Sequence, residues 1–172
     1  MELDSASIGM IVALVILVAL SAYFSATETA FTSLNRIRLR TKAENGDRRA
    51  ARTLELADEY DKLLSTILIG NNIVNNVATT IGAVLFIKLV DAARGPTVSA
   101  IVLTVVILIF GEVSPKSLAK ESPESWAMFA APLLRLFVLI LTPANFLSVS
   151  YTHLDVYKRQ PAGRRGGSPR PA

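Results

Sequence analysis

Residues 8–31 read IGMIVALVILVALSAYFSATETAF, and this stretch sets the class of protein. The part from 8 to 24 is almost continuously apolar, and the apolar pattern continues to Phe31. Since a helix of about 20 residues spans the hydrocarbon of a bilayer, the stretch predicts a transmembrane helix. A cleaved signal peptide would start with a positively charged region, whereas Glu2 and Asp4 make this N-terminus acidic.

Three further apolar runs follow the first. They occupy residues 63–90, 97–110 and 126–147, with the turn DAARGP between the first two of them. The last run contains two prolines and Arg135, so it suits a helix along the membrane interface as well as a fourth crossing. The sequence therefore predicts an all-α membrane protein with three transmembrane helices and a juxtamembrane or fourth spanning helix.

A charged segment, residues 36–62, separates the first two apolar runs. It carries eight Lys and Arg residues, and the Asn45-Gly46-Asp47 turn divides it into a pair of short amphipathic helices. Because positively charged loops stay inside the cell, the pair is expected in the cytoplasm and the N-terminus outside. The expected location is the cell (inner or plasma) membrane. An alternative for the pair is a position on anionic lipid headgroups.

Composition excludes several classes of function. There is no cysteine and one histidine, so a bound metal must take oxygen ligands, as Mg²⁺, Na⁺ and Ca²⁺ do. The basic residues flank apolar segments instead of forming the basic face of a folded domain, so nucleic acid is not an expected partner. No nucleophile–base pair or phosphate loop is present, so neither an enzyme nor an organic cofactor is expected.

Polar side chains inside a membrane-spanning helix are costly, so those in the predicted spans are the candidate functional residues. Counting from the charged side at about 1.5 Å per residue places Ser25, Asn72 and Glu112 at one level, roughly 12–14 Å deep. Helical spacing groups further oxygen donors on the same faces. The candidate metal ligands are Ser21, Ser25, Ser65, Asn72, Asn76, Gly111 and Glu112.

Pro115 is expected to break the third span. It cannot donate a backbone hydrogen bond and it clashes with the carbonyl of Gly111, which would free that oxygen beside Glu112. Broken helices of this kind coordinate cations in transporters. Hydroxyl, amide, carbonyl and carboxylate oxygens together suit a hard cation such as Mg²⁺.

Other polar residues in the spans have a simpler interpretation. Hydroxyl and amide side chains often only join helices by hydrogen bonds, and this is the prediction for Thr27, Thr29, Thr66 and Asn71. Glu28 has two open interpretations: it is a ligand, or it pairs with a basic residue such as Lys116.

Three segments, in order, resemble the motifs of a known family. They read SAYFSATETAF at 21–31, LSTILIGNN at 64–72 and FGEVSPK at 110–116. Together they resemble the CNNM/CorC (cyclin M, hemolysin C-like) transmembrane domain, over residues 5–147. One departure is Ala26-Thr27, where Gly-Ser is commoner in the family.

The resemblance implies a fold and a function. The fold has three spanning helices, a cytoplasmic pair of short helices and a juxtamembrane helix that belts the bundle, and it forms a homodimer in the lipid bilayer. Dehydrated Mg²⁺ binds in an inward-facing cavity and is exported, with Na⁺ as the candidate exchanged ion. The implied ligands are Ser25, Asn72 or a neighbour, and Gly111 with Glu112. The alternative function is a non-transporting scaffold that regulates another Mg²⁺ transporter.

The C-terminal part departs from the family. CBS domains that bind ATP usually follow, but no strand–helix pattern of that kind occurs after Leu147. The segment YTHLDVYKRQ at 151–160 looks like translated adapter sequence. We therefore expect a transmembrane domain at 1–147, truncated before the CBS domains, and a non-native, disordered tail at 148–172.

Overall fold

The structure, a computed structural model, describes residues 4–158, with side chains for residues 4–141. Helices make up nearly all of this range, which contains no strand. They are α1 (Ser5–Thr32), α2 (Arg36–Glu44), α3 (Arg48–Asp58), α4 (Tyr60–Leu89), α5 (Gly95–Val106), a π-helical segment (Ile107–Val113), α6 (Ser114–Glu121) and α7 (Pro123–Lys158). The prediction of an all-α membrane protein is confirmed.

Four helices are long and apolar enough to cross a membrane. They are α1, α4, the continuous helix Gly95–Glu121, and the first part of α7, Pro123–Leu141. The side chains of α1 show how such a bundle is organised. Val15 and Ile16 are 64% and 54% exposed, whereas Ser21 and Ser25 are fully buried. In α1, apolar side chains thus face outward and polar side chains face the protein interior, as intramembrane packing favours.

Helices α1 and α4 lie antiparallel along most of their length. Asp4 begins α1 by accepting a hydrogen bond from the backbone of Ser7, and its carboxylate lies 3.5 Å from Lys88 near the end of α4. Hydrogen bonds from Ser7 hold the pKa of the Asp4 carboxyl below its ordinary value. Further along, the ring of Phe24 packs directly over Gly70, where an added Cβ would lie 2.5 Å from the ring. Gly70 therefore allows the two helices to approach closely.

The two short helices predicted in the charged segment are present as α2 and α3. Asn35 and Asp47 cap them by accepting hydrogen bonds from backbone N–H groups, and Gly46 between them has φ +92°. Only glycine adopts that backbone conformation without strain. The Arg36 guanidinium donates to the carbonyl of Ala57 at 2.6 Å, which closes the pair. We call the end of the bundle that carries α2 and α3 the charged end.

The third span is not broken at Pro115, contrary to the prediction. The seven residues Ile107–Val113 are π-helical, the backbone N–H of Ser114 donates to the carbonyl of Ile109, and α6 continues with Pro115 in its first turn. A proline is tolerated in the first turn of a helix, where its missing N–H costs least. The chain accommodates Pro115 by a change in hydrogen-bond register just before it, and the helix continues to Glu121.

Helix α7 begins at the charged end and runs obliquely along the bundle, reaching Phe24 of α1 with Phe137, whose ring centroids are 4.9 Å apart. Glu124 lies 3.4 Å from Arg38 of α2, and the Tyr23 hydroxyl donates to the carbonyl of Ala130 at 2.8 Å. Eleven residues after Glu124, Arg135 still lies 3.9 Å from Glu55 of α3. Whether α7 is a juxtamembrane helix or a fourth crossing stays a prediction.

The predicted boundary at residue 147 falls inside a helix, since α7 continues to Lys158. Side chains beyond residue 141 and all of residues 159–172 lie outside the described part. That residues 148–172 are non-native and disordered stays a prediction.

Candidate cation site

Three spans meet at one level inside the bundle. The Ser21 hydroxyl of α1 donates a hydrogen bond to Oδ1 of Asn71 in α4, at 3.1 Å. Gly111 of the π-helical segment packs closely against the same serine. A Cβ added at Gly111 would lie only 2.9 Å from Ser21 Oγ. The predicted level of Ser25, Asn72 and Glu112 differs from this contact, which is formed by Ser21, Asn71 and Gly111, while Asn72 is exposed.

Two buried oxygens near this contact have no partner. Within the described side chains, neither Ser25 Oγ nor Asn75 Oδ1 takes part in a hydrogen bond. Ser25 lies one turn from Ser21 on α1, and Asn75 lies one turn from Asn71, to whose Oδ1 its Nδ2 donates at 3.5 Å. An unsatisfied polar atom is costly inside a membrane, where no water replaces the lost bond. Because α1 and α4 are antiparallel, the two oxygens lie on opposite sides of the Ser21–Asn71 contact, Ser25 toward the charged end and Asn75 away from it.

Glu112 supplies the negative charge nearest to Gly111 in the chain. It is half-buried in the π-helical segment, and its carboxylate makes no ion pair or hydrogen bond within residues 4–141. π-helical segments are rare and are frequently found at functional sites. An intramembrane carboxylate without a partner is a functional residue by default.

Nearer the charged end, α1 and α6 are joined by an ion pair. Ser21, Ser25 and Glu28 share one face of α1 at helical spacing. Glu28 Oε2 lies 3.3 Å from Nζ of Lys116 in α6, and both side chains are partly exposed. Of the two interpretations left open for Glu28, pairing with Lys116 is the one that the structure shows.

The other predicted ligands of α4 lie elsewhere. Asn72 and Asn76 are exposed on the outer side of the helix. Ser65 is half-buried, and its hydroxyl donates to the carbonyl of Asp61 in its own helix at 2.8 Å. The structure brings Ser21 and Gly111 together and leaves these three apart from them. Their role as metal ligands stays a prediction.

Of the residues predicted to join helices by hydrogen bonds, Thr27 and Asn71 do so, whereas Thr29 bonds within its own helix. Thr29 donates to the carbonyl of Ser25 at 3.1 Å and Thr27 to that of Tyr23 at 2.6 Å, both within α1. The Trp126 indole donates to Thr27 Oγ1 at 3.4 Å and so joins α7 to α1.

The role of Asn75 was missed. Spacing does not distinguish Asn71 and Asn75 from Asn72 and Asn76, because both pairs are four residues apart. One signal does separate them. Asn71 follows Gly70, which has no side chain and therefore marks the side of α4 that approaches another helix.

Chemically, hydroxyl and amide oxygens of this kind suit a hard cation. The oxygens at the Ser21–Asn71 contact belong to a hydroxyl and an amide, and the Glu112 carboxylate is adjacent to Gly111 in the chain. In the described part of the chain, no three His, Cys, Asp or Glu side chains form a group able to hold a metal ion. A site here would carry few charges, which distinguishes it from tight structural calcium or zinc sites.

Known proteins match over most of the chain. The family model of the cyclin M transmembrane N-terminal domain (CNNM) matches residues 12–156. The UPF0053 inner membrane protein YfjD of Escherichia coli is 39% identical over 135 residues, which cover 78% of this chain and 31% of YfjD. A UPF0053 protein of Haemophilus influenzae is 37% identical over 143 residues, 83% of this chain and 34% of that protein.

A plant protein is also similar. A DUF21 domain-containing protein of Arabidopsis thaliana, described as chloroplastic, is 31% identical over 150 residues, or 87% of this chain and 22% of the plant protein. The chain spans about a third or less of the length of these relatives. The matched region contains all three spans that meet at Ser21, Asn71 and Gly111. The chain belongs to the CNNM family, and it corresponds to that family's transmembrane domain.

Proposed function

We propose that this chain is the membrane-embedded domain of a divalent-cation transport protein that exports Mg²⁺ in exchange for Na⁺. The observation that carries the proposal is the contact of Ser21, Asn71 and Gly111 from three spans, flanked by unpartnered oxygens of Ser25 and Asn75. An oxygen-lined position within a membrane-spanning bundle is the feature that ion transporters share.

The distance between the two contacting oxygens is that of an ordinary hydrogen bond, and it is compatible with Mg²⁺. Ligands of an octahedral Mg²⁺ lie 2.0–2.1 Å from the ion, so neighbouring ligand oxygens are about 3.0 Å apart. Ser21 Oγ and Asn71 Oδ1 are 3.1 Å apart. Both oxygens can therefore turn their lone pairs to an ion with little movement of α1 and α4.

The sparse charge of the site supports transport over permanent binding. A transported ion must bind well enough to enter and weakly enough to leave. Glu112 is the carboxylate adjacent to the site in sequence, and the Glu28 charge is balanced by Lys116 at 3.3 Å. Neutral oxygens thus form most of the ligand set, as a releasable site requires.

The assembly around this domain is part of the proposal. The chain would lie in the inner or plasma membrane as a homodimer, with its N-terminus outside. The complete protein would carry CBS domains that bind ATP after α7. The inner-membrane description of YfjD supports the location.

Titration of the purified chain with Mg²⁺ tests the site. We expect Asn71→Ala to weaken binding about tenfold or more, since it removes a ligand and the partner of Ser21. Asn72→Ala is the matched control, because it removes the same amide from the exposed side of α4. Equal losses in the two variants, or a loss confined to Asn72→Ala, would contradict the arrangement proposed here.

The scaffold alternative requires a separate experiment. Reconstituted liposomes that contain only the pure chain should release Mg²⁺ down its gradient, with a rate that depends on Na⁺ outside. A folded protein that binds Mg²⁺ but gives no flux in such liposomes would favour a non-transporting scaffold.

A further inference from the structure

A basic cavity opens between α3 and α7 at the charged end. It has a volume of about 540 Å³, and three arginines line it: Arg49 and Arg52 from α3 and Arg135 from α7. Its other walls are largely apolar and include Met128, Phe129 and Pro132. The cavity is separate from the candidate cation site, and the transport proposal gives it no role.

The positive charge of this cavity is only partly balanced, since Arg135 alone of its three arginines lies near a carboxylate, 3.9 Å from Glu55 of the neighbouring cavity. No acidic residue is among its lining residues, and neither Arg49 nor Arg52 has an ion-pair partner among the described side chains. A neighbouring cavity of about 500 Å³ differs, since Glu55 and Glu59 balance Lys62 and Arg135 there. Guanidinium groups bind phosphate through two parallel hydrogen bonds. The excess of arginines therefore suits an anionic ligand, and a phosphate group in particular.

The apolar walls next to the arginines suit a ligand that has both a charged group and an apolar chain. The exposed ring of Phe129, 70% accessible, also lines a second cavity, of about 430 Å³. That cavity is mostly apolar, with Ala19 and Ala22 of α1, Phe110 and Leu118 among its walls. Ala19 and Ala22 lie more than two turns from the end of α1 at Thr32, so the second cavity extends from the charged end toward the membrane interior.

We propose that an anionic phospholipid occupies the two cavities together. Its phosphate lies between Arg49, Arg52 and Arg135, and one acyl chain passes Phe129 into the apolar cavity. Because the basic cavity lies at the charged end, the headgroup lies at the membrane surface. The acyl chain then extends toward the membrane interior, as it does in a bilayer. Basic pockets beside membrane helices bind anionic headgroups in this manner. The bound lipid would join α3, and hence the helix pair, to α7.

Lipid titration of the purified full chain tests the proposal. The probe is palmitoyl-oleoyl phosphatidylglycerol, added in detergent, with the melting temperature and the lipid retained in native mass spectra as readouts. We expect the double variant Arg49→Gln/Arg52→Gln to weaken binding about tenfold or more, since each arginine contributes separately. Arg48→Gln is the matched control: Arg48 is exposed on the same helix but does not line the cavity. Its effect should be less than about twofold.

Two further probes separate the sources of a phosphate group. Phosphatidylcholine tests whether the negative charge matters, and inorganic phosphate tests whether the acyl chains do. Phe129→Ala should weaken phosphatidylglycerol binding and leave any effect of inorganic phosphate unchanged. All variants concern exposed side chains, and helical circular dichroism checks that they fold.

Several outcomes would overturn the proposal. The first is a loss of phosphatidylglycerol binding in Arg48→Gln equal to that in the double variant. The second is retention of phosphatidylcholine equal to that of phosphatidylglycerol, and the third is thermal protection by inorganic phosphate equal to that by the lipid. The first would indicate diffuse surface charge, the second a site for any lipid, and the third a site for a soluble anion.

Discussion

Lys116 Nζ of α6 lies 3.3 Å from Glu28 Oε2 of α1, on the helix faces that also carry Gly111 and Ser21. Glu28 follows Ser21 by seven residues, a rise of about 10 Å along the helix. The ion pair therefore lies between the Ser21–Asn71 contact and the charged end. Since the pair is neutral as a whole, removing either partner changes the electrostatic potential at the contact.

Neutralising one partner should change Mg²⁺ affinity in a predictable direction. Lys116→Met leaves the Glu28 carboxylate unbalanced and should raise the affinity several-fold, whereas Glu28→Gln leaves the ammonium unbalanced and should lower it. At about 10 Å and an effective dielectric constant near 20, a unit charge and a divalent ion interact by a few kcal/mol, and partial exposure reduces this. Calorimetric titration at low and high salt measures the effect.

The double variant Glu28→Gln/Lys116→Met completes the cycle. Its Mg²⁺ affinity should return to within about threefold of the unmodified chain, because the net charge of the pair is again zero. Single variants that shift affinity in the same direction would show that the pair acts by positioning the helices and not by its charge.

Gly111 has no room for a side chain. In Gly111→Ala the new Cβ would lie 2.9 Å from Ser21 Oγ and 3.3 Å from Ser21 Cβ, so the serine must turn away from Asn71. We expect a loss of about 1–3 kcal/mol in stability, as for other overpacked contacts, together with weaker Mg²⁺ binding.

Gly9→Ala is the matched control for this substitution. Nothing lies within 4 Å of a Cβ at Gly9, which is exposed in the same bundle. Alanine there should stabilise α1 by up to about 1 kcal/mol, because glycine is the poorer helix former. Thermal unfolding in detergent measures both variants, and a Gly111→Ala chain as stable as Gly9→Ala would refute the close contact.

The elements of this fold were predictable because each depends on a local pattern. Long apolar runs predict the spans, and the turn at Asn45-Gly46-Asp47 divides α2 from α3 as expected. Pro115 was correctly identified as a perturbation, but its form was not. Whether a proline breaks a helix or shifts its hydrogen bonds depends on neighbouring helices, which the local sequence does not describe.

The rotation of α4 could not be predicted in the same way. Helical spacing states which residues share a face, but which face meets α1 depends on packing. The packing of Phe24 over Gly70 fixes the rotation of α4, so that Asn71 and not Asn72 reaches Ser21. A one-residue difference turns a side chain by about 100°, enough to exchange an interior position for an exposed one.

Ser25→Ala separates ion binding from stability. The Ser25 hydroxyl is fully buried and has no partner among the described side chains, so its removal eliminates an unsatisfied group. Without Mg²⁺ the variant should be as stable as the unmodified chain or more stable by about 1 kcal/mol. Its stabilisation by added Mg²⁺ should fall, because a ligand is lost.

Ser21→Ala provides the contrast to Ser25→Ala. It removes the hydrogen bond to Asn71, and interhelical hydrogen bonds of this kind contribute about 0.6 kcal/mol on average in membranes. Ser21→Ala should therefore reduce the melting temperature even without Mg²⁺. If Ser25→Ala behaved in the same way, Ser25 would serve packing and not ion binding.

The absence of cysteine from the sequence makes the predicted orientation directly testable. In Asn45→Cys the thiol lies in the exposed turn between α2 and α3, and in Ala92→Cys it lies in the exposed turn between α4 and α5, at the opposite end of the bundle. With the N-terminus outside, a membrane-impermeant maleimide added to intact cells should label Ala92→Cys and spare Asn45→Cys. Inverted vesicles should give the opposite pattern, because the eight basic residues of the charged segment hold that end inside. The reverse labelling in both preparations would invert the orientation, and with it the direction in which the proposed site opens.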